Sequence, residues 1–167
     1  MSAESITHRF RLFLLTLSGF ILVGTVVELW LTEHTETLVQ WIPFILAGSG
    51  LLGVVSVLFR PQRATLLGLR VVMGLVVLGS FFGIYEHVEH NLAFELEIRP
   101  TATVGEVFMA ALGGASPLLA PGILALAAIL AIAATYYHPA IEKQNNIVKD
   151  KEGTNHAKRN PAQKATG

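Results

Sequence analysis

The residues best suited to chemistry lie together in Tyr85-Glu86-His87-Val88-Glu89-His90-Asn91. Carboxylates and imidazoles this close can hold a transition metal, move a proton or meet a partner. On a wheel turning about 100° per residue, Gly79, Gly83, Glu86 and His90 fall within an arc of roughly 60°, and His87 lies on its flank. If the helix runs through Asn91, Glu86 and His90 stand at i and i+4 and reach one ligand. Glu28 supplies a carboxylate at similar depth on an earlier apolar segment. There it is costly unless it faces protein, water or a partner. Glu33, His34 and Glu36 follow just beyond. The candidate metal-binding set is therefore Glu28, His34, Glu86, His87 and His90.

Such a set suits zinc, manganese, iron or copper. A haem b is the other cofactor to weigh, since it needs two histidines facing each other across helices, and His34 with His87 or His90 would serve. The chain has no cysteine, which excludes thiolate metal sites, disulfides and thiol catalysis. The spacing matches no familiar metal motif. Glu-x-x-His of carboxylate-bridged di-iron proteins fails because Glu89 is the third residue after Glu86, and His-Glu-x-x-His is absent. Interfacial polar residues at a helix end are the plainer reading and take precedence; Glu28 and Glu86, by depth, argue for more.

The elements that must position these residues are membrane helices. The chain has 167 residues, 52% hydrophobic and only 14% charged. Mean hydropathy is +0.55. Four apolar segments reach or approach the roughly 20 residues needed to span a hydrocarbon core. They are Phe10–Leu31, Val39–Phe59, Ala64–His87 and Pro117–Tyr137. In lipid each must be helical, because no water satisfies the backbone. The first run is long for a secretory signal and lacks a small-x-small cleavage site, so it is expected to be a retained anchor. Thr37-x-x-Gln40 has the form of a capping box for the second helix. Arg60-Pro61 closes that helix, and Ser116-Pro117 is expected to open the fourth as N-cap and N1.

The basic residues set the expected orientation. With the N-terminus inside, eleven of the twelve Lys and Arg fall at the cytoplasmic side and only Arg99 lies outside. Arg70, one to two turns into the third segment, is expected to snorkel to the inner interface; a buried ion partner is the alternative. In the outer loop, Thr103-x-x-Glu106 is a second capping box. Val104, Val107, Phe108, Ala111 and Leu112 then recur at helical spacing. A short amphipathic helix on the outer interface is expected there. Residues 141–167 are polar and expected to be disordered.

The predicted fold is thus an all-α, integral-membrane four-helix bundle with both termini cytoplasmic. Residues 1–140 form the transmembrane domain, with helices at about 10–31, 39–59, 64–90 and 117–138. The plasma (inner) membrane is the expected location. Ser49-x-x-x-Gly53, Gly79-x-x-x-Gly83 and Ala127-x-x-x-Ala131 are expected packing surfaces. Partners are the lipid bilayer and a membrane protein or a second copy. No basic face suits nucleic acid, and no nucleophile–base pair suggests an enzyme. The leading functional expectation is a non-enzymatic accessory or interaction subunit with a Glu/His-rich outer face. A metal- or haem-binding redox component is the alternative. Small-solute or ion transport by an oligomer is the third, since no ionisable group lies at the midplane of one chain.

Overall fold

A computed structural model describes residues 2–141, so the expectation of a disordered tail falls outside the described residues except at Ile141. These residues form five helices: α1 (Ala3–Leu31), α2 (Trp41–Phe59), α3 (Arg63–Ile98), α4 (Val104–Leu112) and α5 (Leu119–Ala134). No strand occurs among the described residues. The first three helices are long and apolar enough to cross a membrane; α5, with 16 residues, is apolar but shorter.

The helix ends follow local chemistry more than hydropathy. α1 begins seven residues before the apolar run, because the Ser2 hydroxyl accepts the Ser5 N–H and opens the helix at Ala3. α2 begins at Trp41. The Gln40 side chain reaches back to the N–H groups of Glu36 and Thr37, which holds Thr37–Gln40 as turns outside the helix. α3 begins with a reciprocal cap between Gln62 and Thr65 and continues to Ile98, past the expected end at residue 90. Nothing between His90 and Ile98 breaks it: the run has no glycine or proline until Pro100. α4 carries the expected Thr103/Glu106 capping box, Glu106 Oε2 accepting the Thr103 N–H at 2.7 Å.

The four longer helices form a ring. α1 packs against α2 and α5, α3 packs against α2 and α5, and α2 and α5 meet little, which puts them on a diagonal. The core holds Leu14, Leu22, Val54, Leu66, Leu69, Met73 and Val76 with a run of alanines from α5. Small residues set the approach of the helices. A Cβ on Gly53 would meet Leu69, one on Gly79 would meet Leu46, and one on Gly83 would lie 3.1 Å from Pro121. Ala127, Ala128 and Ala131 are fully buried, so α5 is the helix most enclosed by protein.

The two ends of the ring differ in charge. At one end Arg9, Arg11, Arg60, Arg63 and Arg70 gather with Glu4. Arg11 donates to the carbonyls of Tyr136 (3.2 Å) and Tyr137 (2.7 Å). Arg70 donates to the Thr135 hydroxyl and carbonyl, each at 2.8 Å, and its guanidinium stacks 5.8 Å from the Tyr136 ring centre. Arg70 therefore reaches back toward the end of the ring where the other arginines lie, and among the described residues it has no acidic partner there. It caps the C-terminus of α5, where unsatisfied carbonyls and the helix dipole favour a cation.

Candidate functional site

The opposite end carries Glu28, Glu33, Glu36, Glu86, Glu89, Glu95, Glu97 and Glu106, with Arg99 as its one described Lys or Arg. Arg99 pairs with Glu95 one helical turn away.

α3 positions the centre of this end. Its buried residues Leu66, Leu69, Met73, Val76 and Ser80 repeat at alternating steps of three and four, a stripe that His87 and Asn91 continue. The arc of Gly79, Gly83, Glu86 and His90 runs along the edge of this packing face, with Gly79 close against Leu46 and Gly83 close against Pro121. Asn91 is 1% exposed. Its amide nitrogen donates to the Ser116 carbonyl at 2.9 Å, and its amide oxygen accepts the Ser116 N–H at 2.8 Å. Ser116 is thus a docked backbone unit, and the expected N-cap at Ser116-Pro117 gives way to a helix start at Leu119. One turn earlier on α3, His87 Nδ1 lies 2.9 Å from the Pro117 carbonyl. A carbonyl only accepts, so this nitrogen carries a proton and Nε2 faces the other way. A Cβ on Gly114 would lie 2.5 Å from Asn91 Cγ, so only glycine lets the chain pass this close.

The structure divides the candidate metal set. His34, half-buried in the turn after α1, lies near enough to His87 for the two to influence each other's charge. Burial first, and His87 second, hold His34 below the ordinary histidine range. Glu86 is half-buried, His90 is exposed on the flank, and Glu28 points out of the bundle and is exposed. Among the described residues no three of His, Asp or Glu gather in an arrangement that would hold a metal ion. Glu28, His34, Glu86, His87 and His90 are thus neighbours at one end rather than one assembled ligand set.

The buried polar groups between the two ends are quiet. The Ser18 hydroxyl donates to the Ala127 carbonyl and the Ser80 hydroxyl to the Val76 carbonyl, both at 2.8 Å. No buried side-chain polar atom among the described residues lacks a partner. Asn91 is the residue that the candidate set leaves out, and the three–four stripe of α3 was the signal available for it.

No family profile matches the chain, and comparison with curated proteins and with solved structures found no match.

Proposed function

We propose that this chain is a multi-pass protein of the plasma (inner) membrane, both termini cytoplasmic, serving as a non-enzymatic accessory or interaction subunit. α1, α2, α3 and α5 are its transmembrane helices. The observation that carries this reading is the sorting of charge between the two ends of the ring. Five arginines at one end meet the positive-inside rule. Eight glutamates with one paired arginine at the other end make an outer face of a single sign, a feature suited to recognition and orientation of a partner. α5, although short at about 24 Å, is enclosed by α1 and α3 and needs less hydrocarbon around it. At the glutamate-rich end His87 and Asn91 are engaged by backbone, and Ser116 contributes backbone atoms to that clamp.

One observation favours a second reading. His87 has its Nδ1 held by the Pro117 carbonyl, as metal- or haem-ligating histidines often have, and His34 lies at the same end of the bundle. Copper, zinc or a haem b held by this pair is the alternative function.

Isolation from the source membrane in mild detergent tests both. The accessory reading predicts a hetero-oligomer, larger than the 18.0 kDa chain and without stoichiometric metal or Soret absorption. A lone chain, colourless and metal-free, would contradict it. A metal or Soret band lost in His34→Ala/His87→Ala would move the assignment to the second reading.

A further inference from the structure

The chain stays on the ring after α5 ends. It turns through Thr135, Tyr136 and Tyr137, and residues 139–141 begin a new helical turn. Ala140 and Ile141 pack against the buried core. Tyr137 takes a φ of 46°, a backbone conformation that a bulky residue adopts only where its surroundings hold it. Arg11 of α1 holds it, through the carbonyls of Tyr136 and Tyr137. His138 then opens the new turn. Its carbonyl accepts the Ile141 N–H at 2.9 Å, and its Nδ1 accepts the Ala140 N–H at 3.2 Å. The imidazole thus does what serine or asparagine does at a helix start, with Pro139 in the first helical position. A backbone N–H only donates, so Nδ1 keeps its lone pair, and the ring is neutral with its proton on Nε2.

We propose that His138 is a proton-operated latch: neutral, it holds residues 138–141 against the core, and protonated, it releases them. Protonation puts a hydrogen on the nitrogen that has to accept, so the cap becomes two donors facing each other. It also places a cation among cations. His8 and Arg11 of α1 face the ring, and Arg70 of α3 stacks on Tyr136, two residues earlier. Arg60 and Arg63, on either side of the turn between α2 and α3, lie at the same end. Glu4 is the one acid there among the described residues, and it forms no ion pair with them. Burial first, then Arg11, then His8, hold His138 below the ordinary histidine range. The open form therefore binds the proton more readily, and acid favours it. The hold is intact above the ordinary value of 6.5 and is lost as pH falls below it. Opening uncovers the core surface that Ala140 and Ile141 cover, whatever partner or metal the opposite end serves.

Amide hydrogen exchange of the full chain in lipid nanodiscs tests the latch apart from its topology, since both faces then meet one pH. Protection factors, corrected for the intrinsic rate, are compared at pH 7.5 and pH 5. At Ala140 and Ile141 they should fall about tenfold in acid, the loss of a cap joined by charge repulsion. Ala127, in the middle of α5, should stay protected at both values, so that the segment leaves a folded ring. His138→Asn keeps an acceptor and takes up no proton, and should keep Ala140 protected at both values. His138→Ala has no acceptor and should leave Ala140 exchanging fast at both. His8→Gln removes one neighbouring cation and should raise the pH at which the segment opens. Protection at Ala140 that ignores pH, a pH response that survives in His138→Asn, protection lost in His138→Asn at pH 7.5, or loss at Ala127 together with Ala140 would each overturn the proposal.

Discussion

Asn91 uses both ends of its amide on one backbone unit, and His87 holds the next carbonyl, so two side chains one turn apart dock the loop that leads into α5. Removing the amide would leave the buried N–H and C=O of Ser116 without partners, which costs about 2–3 kcal/mol. Asn91→Ala is expected to lower stability by that amount, read by unfolding in a lipid nanodisc, and to raise hydrogen exchange at Ser116. His34 makes a different prediction. Its folded value is lowered, so the unfolded chain binds the extra proton, and the stabilising contribution is intact above the ordinary histidine value of about 6.5. It is lost as pH falls below that value. His138, lowered by burial and then by Arg11 and His8, adds in the same direction. Thermal unfolding measured at pH 7.5 and pH 5 should show acid destabilisation, and His34→Gln should reduce the difference. At this scale the sequence disclosed the ionisable residues but ranked them by polarity. Polarity selects Glu28 and His90, which the fold leaves exposed; it does not select Asn91, whose importance comes from its place in a three–four stripe.

The helices show which signals travel from sequence to structure. Arg60-Pro61 and the Thr103/Glu106 box act as expected because they work within one turn of backbone. The ends of α3 and α5 do not follow the apolar segments. Hydropathy marks where lipid would end, whereas a helix ends where its terminal groups find other partners; α3 therefore runs eight residues past its expected end, and Asn91 takes the backbone of Ser116. The partner of Arg70 was not legible for a related reason: it is the hydroxyl and carbonyl of Thr135, distant in sequence and invisible to a reading of charge pairs. Arg70→Met is expected to cost about 2 kcal/mol, the worth of hydrogen bonds from a charged donor, and to fray the last turn of α5. Hydrogen exchange at Ala134 and Thr135 checks this. Arg70→Lys should restore little, because a point charge cannot make the two parallel bonds of the guanidinium.

Across the whole molecule, the sequence carried the all-helical class and the membrane-compatible helices, since both rest on composition and run length. It did not carry the order of helices around the ring, because periodicity gives each helix a packing face and not a neighbour. That order makes α5 the enclosed helix and leaves Glu28 exposed while His34 is half-buried. It also assembles the two charged ends from separate parts of the chain. The resulting account is a protein divided along its long axis: arginines that lock the end of α5, an apolar middle, and a glutamate-rich hairpin beyond it.

Labelling of single cysteines by a membrane-impermeant maleimide tests this division most directly, since the native chain has no cysteine to confuse it. Thr101→Cys, in the turn between α3 and α4, and Gln62→Cys, between α2 and α3, are the two positions. In intact cells the account predicts labelling at residue 101 and none at residue 62; in inverted vesicles, the reverse. Labelling of both positions from the same side, or of residue 62 alone in intact cells, would contradict it.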